Sequence, residues 1–173
     1  MQPQGPIRRE LLTWDDVEKL MDVLMPQFRN AGGFDTMLII TRGGIVPGGM
    51  LAEALDIRRV LTAAVRFPEI GAEPLAAWPE YLQFPEDRLL QDRRVLIVDD
   101  VWGSGRTSTS VSGRVEVSGG IPATCVLHFN PYRSLFNDTK PDFYGAVTDA
   151  WIVYPWEVDR GTDYIEVGPV PTN

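Results

Sequence analysis

Apolar residues fall along this chain in two rhythms. From Trp14, the side chains Val17, Leu20, Met21, Leu24, Met25 and Phe28 return at intervals of three and four, the spacing that lines one face of an α-helix. Thr13 stands where an N-cap is needed, and Pro26 followed by Gly32-Gly33 disrupts the pattern, so an amphipathic helix laid on a sheet is predicted here. Elsewhere the apolar residues run on without alternation, at Thr36 to Ile40, Arg94 to Asp99 and Ala123 to Phe129, with further strand-like segments at Arg59 to Val65 and around Ala150 to Val153. Continuous runs suit strands covered on both faces. Two more helices are expected near Pro47 to Leu55 and Gly105 to Gly119. Strands alternating with helices predict an α/β fold, a mostly parallel twisted sheet flanked by helices with right-handed crossovers.

The run Val95-Leu96-Ile97-Val98 ends in two acids, Asp99 and Asp100, followed by Val101-Trp102-Gly103-Ser104-Gly105-Arg106-Thr107. Open parallel sheets bind ligands at the carboxyl ends of their strands, which places both carboxylates at the rim of a site. Gly105 permits backbone conformations closed to other residues, and Ser104 and Thr107 add hydroxyl donors, so successive N–H groups can gather round one phosphate at the start of the next helix. Two carboxylates facing that phosphate would repel it, which makes sense if they hold ribose hydroxyls instead, directly or through Mg²⁺. The ligand so described is a phosphorylated sugar. The competing reading is a buried strand with an acidic turn, since Asp and Gly are ordinary turn residues. After the strand at Thr36 to Ile40 comes a second loop, Thr41-Arg42-Gly43-Gly44-Ile45-Val46-Pro47-Gly48-Gly49. Gly43 and Gly44 let the main chain approach oxyanions, and Arg42 can offer charged donors.

The stretch from Ile97 to Thr107 resembles the phosphoribosyl-pyrophosphate (PRPP) signature of type I phosphoribosyltransferases. Arg42-Gly43-Gly44 with Pro47-Gly48 is similar to the pyrophosphate loop of their xanthine-guanine and hypoxanthine branch, and Thr148 to Glu157 to the hood segment of that branch. The resemblance runs from Thr13 to Glu157 and implies transfer of 5-phosphoribosyl from PRPP to a nucleobase with release of pyrophosphate. It implies catalytic roles for Asp99, Asp100 and Arg42, with Asp99 and Asp100 holding the ribose hydroxyls and Mg²⁺. Arg42 and Gly43 would meet the pyrophosphate, and Gly103, Ser104, Gly105, Arg106 and Thr107 the 5-phosphate. Trp151 would stack on the base, with Asn130, Ile152 and Glu157 along its edge. It further implies a C-terminal hood over residues 130–173, a mobile loop over 66–93 and a homodimer or homotetramer.

Three positions depart from the branch. Gly103 stands where relatives carry the aspartate that faces N7 of the base, and Asn130 where they carry a lysine on O6. Phe67-Pro68 replaces a Ser-Tyr pair at the start of the mobile loop. An amide can donate or accept, so Asn130 leaves oxo and amino bases open. Salvage of hypoxanthine, guanine or xanthine is the first expectation; the same chemistry on another base, and a PRPP-binding regulatory protein, are the alternatives.

At 173 residues with 44% hydrophobic content the chain suits one domain, expected over 1–173 with a short tail at 1–10. A net charge of −8 argues against nucleic acid or an anionic membrane as partner. There is no apolar run of membrane-spanning length and no hydrophobic leader in Met1-Gln2-Pro3-Gln4-Gly5-Pro6, so a cytoplasmic location is expected. Cys125 and His128, each the sole residue of its type, read as structural, as do Tyr154 and Trp156.

Overall fold

The Thr13 hydroxyl accepts the Asp16 N–H while the Asp16 carboxylate accepts the Thr13 N–H at 2.9 Å, a reciprocal cap that starts helix α1 (Trp14–Phe28) at the expected residue. Pro26 does not end it. It lies in the last turn, where its missing N–H removes a single bond, and the helix continues to Phe28. The computed structural model describes residues 8–68 and 78–158. After a short strand β1 (Arg9–Leu11) and α1 come β2 (Thr36–Ile40), α2 (Ile45–Ala54), β3 (Val60–Arg66), β4 (Glu80–Gln83), β5 (Arg94–Trp102), α3 (Arg106–Val117), β6 (Ile121–Phe129), β7 (Phe143–Val147), β8 (Trp151–Val153) and the single turn α4 (Pro155–Val158).

Six strands form the main sheet in the order β4-β3-β2-β5-β6-β7. All neighbours are parallel except β3 and β4. The unbroken apolar runs explain the layering. Every residue of β2 is buried, with Met37 and Ile39 facing Val17, Leu20, Leu24 and Phe28 of α1, while Leu38 and Ile40 share the opposite core with Val111 and Val115 of α3. From β2 the chain crosses to β3 on one side, and from β5 to β6 on the other. The order therefore reverses between β2 and β5, the place where open α/β sheets carry a crevice.

Three strands lie outside the sequence expectation. β1 begins inside the stretch read as a tail and pairs in parallel with β8, Glu10 opposite Ile152. β4 falls in the region read as a mobile loop, is antiparallel to β3, and is pinned by the Tyr81 hydroxyl donating to the Ser110 carbonyl at 2.8 Å. β7 adds the other edge. In addition, β5 does not stop at Asp99, because Val101 and Trp102 go on pairing with His128 and Phe129, so both acids are part of the strand's end. The heart of the expected mobile loop, 69–77, with 1–7 of the tail and 159–173 of the C-terminal segment, lies outside the described residues. Among the described residues no helix is long and apolar enough to cross a membrane.

Candidate functional site

Because β2 and β5 are neighbours and parallel, the loops that leave their carboxyl ends face one another. The contact is close. A Cβ on Gly43 would stand 2.5 Å from the carboxylate of Asp100, and one on Gly44 would strike the carbonyl oxygens of Val98 and Ile40. Only glycine lets the 41–44 loop lie this near the acid pair. The Thr41–Arg42 peptide is cis, the Arg42 carbonyl accepts the Ile45 N–H at 3.1 Å, and the exposed Arg42 guanidinium makes no hydrogen bond or ion pair to another described residue.

Asp99 and Asp100 are half-buried at the strand's end. The Asp100 N–H donates to Asp99 Oδ1 at 3.0 Å and the Val101 N–H to Asp100 Oδ1 at 2.7 Å, which fixes both side chains against the backbone. Burial raises the Asp99 carboxyl well above the usual carboxylate range, and the neighbouring Asp100 charge adds to this. Burial also raises Asp100, to about 6, with the charge of Glu157 acting in the same direction. Acids crowded together in this way favour the arrival of a proton or a cation.

Past Trp102 the backbone turns into a cradle. Gly105 caps α3 at φ 81°, a left-handed conformation that favours glycine, and the helix opens immediately at Arg106. The first-turn N–H groups of a helix have no intrahelical acceptors and carry the positive end of its dipole, so they suit an anion. Ser104 Oγ accepts the Arg106 N–H at 3.4 Å, Thr107 is half-buried in the first turn, and the Arg106 guanidinium carbon lies 4.0 Å from the Phe67 ring centroid. A side chain on Gly103 would project into open space.

Trp102 holds this cradle, a role invisible from its place in the motif. It is 1% exposed, its indole lies so close beneath Gly105 that a Cβ there would collide with it, and its Nε1–H donates to Ser134 Oγ at 3.3 Å. The Leu135 N–H donates to the Ser104 carbonyl at 3.0 Å, so residues after β6 brace the loop from a second direction.

On the side of the small β1-β8 sheet, Trp151 is half-buried at the head of β8, and Arg133 lies over its ring. Ile152 is 8% exposed, with its side chain in the main core, so only its backbone is left to meet a ligand. Glu157 accepts the Tyr154 N–H at 2.8 Å and so ties α4 to the strand before it. Asn130 is 2% exposed, and its Oδ1 accepts the Tyr132 N–H at 3.2 Å. Its oxygen is committed to a turn.

Tyr154 and Trp156 are packed side chains, stacked on each other at 4.5 Å. The Tyr154 hydroxyl also donates to the Asp100 carbonyl at 2.9 Å and meets His128 Nδ1 at 2.9 Å, so Nδ1 carries the proton. Burial lowers His128 to about 4, which keeps the ring neutral, and burial raises the Cys125 thiol far above its ordinary range. Both are structural, as their sequence surroundings suggest.

Among known proteins, the phosphoribosyl transferase domain family matches residues 8–159. A xanthine-guanine phosphoribosyltransferase of Ruegeria sp. (strain TM1040) is 28% identical over 165 residues, covering 90% of this chain and 88% of that protein. A purine phosphoribosyltransferase from Pyrococcus horikoshii superposes with a TM-score of 0.73 at 30% identity, over 86% of this chain and 94% of the other. A protein from Neisseria gonorrhoeae, solved with bound ppGpp, gives a TM-score of 0.75 at 25% identity over 94% and 95% of the two chains.

Proposed function

Since the chain belongs to the phosphoribosyl transferase domain family, we propose that it moves the 5-phosphoribosyl group of PRPP onto a ring nitrogen of a 6-oxopurine, hypoxanthine, guanine or xanthine, and releases pyrophosphate. The observation that carries this reading is the junction at the switch point. An acid pair, a left-handed glycine opening a helix and a facing glycine loop lie together there. Their sizes and charges suit the ribose hydroxyls, the 5-phosphate and the leaving pyrophosphate in turn.

In the step itself the bond from ribose C1 to the pyrophosphate oxygen breaks and a bond from C1 to the base nitrogen forms, with inversion at C1. The electron pair leaves on pyrophosphate, and the proton on the attacking nitrogen leaves to water or to an acid such as Glu157, since Gly103 has no side chain to take it. Asp99 and Asp100 orient the ribose. The backbone of Gly43 and the Arg42 guanidinium receive the pyrophosphate, and Ser104, Gly105, Arg106 and Thr107 anchor the 5-phosphate, so catalysis rests on positioning and charge neutralisation. Trp151 stacks on the base, a contact worth about 1 to 3 kcal/mol.

The donor set fits Mg²⁺. No cluster of three acidic, histidine or cysteine side chains suited to a metal occurs among the described residues, whereas Mg²⁺ usually takes one or two carboxylates with substrate oxygens and waters. Asp99 and Asp100, each raised by burial, would hold it, and the bound ion supplies positive charge that neutralises the departing pyrophosphate. The working form under this reading is a cytoplasmic homodimer or homotetramer. Pyrophosphate release from PRPP and Mg²⁺ across hypoxanthine, guanine, xanthine, adenine, uracil and orotate, with product masses identified, is the test. Turnover with 6-oxopurines supports the reading, and silence across the panel in a protein that binds PRPP refutes it.

A second reading is favoured by the Neisseria gonorrhoeae neighbour. A 5-phosphate cradle beside a pyrophosphate-sized glycine loop also suits ppGpp, which would then displace PRPP competitively in the same assay.

A further inference from the structure

Whatever shares the face of Trp151 is a neighbour of the base that stacks there. That neighbour is Arg133, whose guanidinium carbon lies 5.5 Å from the Trp151 ring centroid. The turn after β6 delivers it. The Asn130 N–H donates to the Trp102 carbonyl at 2.9 Å, Asn130 Oδ1 accepts the Tyr132 N–H at 3.2 Å, and the Arg133 N–H closes on the Asn130 carbonyl at 3.3 Å. Asn130 thus builds the turn that brings Arg133 to the Trp151 ring.

Arg133 is half-buried, yet its guanidinium makes no hydrogen bond or ion pair with another described residue, and the ring contact is what fixes it. Two acids that flank Trp151 in sequence have partners of their own, Asp149 with Arg8 at 2.5 Å and Glu157 with the Tyr154 N–H at 2.8 Å. A guanidinium held beside an aromatic slot without a carboxylate presents up to five N–H donors, and no acceptor, to whatever enters.

We propose that Arg133 determines base specificity by donating to the acceptor edge of an oxopurine, its carbonyl oxygen and adjacent ring nitrogen. The proposal rests on the assignment of the base to Trp151. A 6-amino group at the same edge would meet donors only, so adenine is disfavoured. Paired donation to an oxygen and a ring nitrogen discriminates between bases by about 5- to 150-fold.

Calorimetric binding of GMP, IMP and AMP to the parent, R133A, R133M and R133K tests this without requiring turnover. GMP and IMP should bind the parent more tightly than AMP. R133A and R133M should weaken GMP and IMP by at least about fivefold and move AMP by less than about twofold. R133M keeps a long side chain against the ring, which separates lost donors from lost packing. R133K should recover part of the loss, because an ammonium cannot make the paired contact. Equal losses for AMP and GMP, no loss at all, or a parent that binds none of the three overturns the proposal. If the parent transfers ribose to no base while GMP binding depends on Arg133, the transferase reading fails and this one stands. Turnover of oxopurines with a KM untouched by R133M sinks this one alone.

Discussion

Replacing Asp100 with asparagine separates the cost of the acid pair from its use. Burial, with the Glu157 charge in support, raises this carboxyl from the ordinary 3.8 to about 6. At pH 7 the ligand-free fold therefore carries a charge it disfavours, and a rise of that size corresponds to at most about 3 kcal/mol. Solvent reaching the half-open cleft reduces it, so D100N should stabilise the ligand-free protein by roughly 1 to 2 kcal/mol at pH 7. Its amide oxygen can still accept the Val101 N–H, which is 2.7 Å from Oδ1 in the parent. Between about pH 4 and 6 the folded parent binds more protons than the unfolded chain. Its stability is thus greatest below the unfolded value and declines as pH rises through the folded one, and Asp99 acts in the same direction. Urea unfolding of parent and variant from about pH 4 to 7 should show the two curves diverging as pH rises. Pyrophosphate release by D100N should fall about 100-fold or more. A variant less stable than the parent at pH 7 would refute the burial argument, and one that turns over at the parent rate would refute the site.

Three further outcomes are expected. Gly43→Ala puts a methyl 2.5 Å from the Asp100 carboxylate, so kcat/KM for PRPP should drop on the order of 10- to 100-fold, read by steady-state kinetics. Tyr154→Phe removes the hydroxyl that serves both the Asp100 carbonyl and His128 and should cost about 1 to 3 kcal/mol in denaturant unfolding. Thr13→Ala deletes the α1 cap and should cost about 1 kcal/mol in denaturant unfolding.

The parts of the fold legible in the sequence were those whose burial is complete. β2 ends where its apolar run ends because both faces are covered by helices, and α1 starts at Thr13 because a cap is a local signal. The missed strands lack that signal. β4 is mostly exposed and lies among prolines, and its place depends on Tyr81 reaching α3. The apolar pattern of β7 is interrupted by Gly145, whose own reason is distant, since a Cβ there would stand 2.9 Å from the Leu127 carbonyl and from Leu20. The same division runs through the site. Both loops could be read because each is contiguous, whereas the bracing of Gly105 by Trp102 and the delivery of Arg133 to Trp151 join residues that only the fold brings together.

The segment from Asn130 to Leu135 has two masters. It carries Arg133 to the Trp151 ring, while its backbone and Ser134 hold Trp102 and Ser104 in the loop that opens α3. If the loop grips the phosphate and Trp151 the base, as proposed, base preference and phosphate grip are not interchangeable modules. Grafting this segment from a homologue with a different appetite would bring a foreign brace under the cradle, and a working chimera should need residue 102 transplanted with it. Divergence at this site is constrained to travel as a linked block.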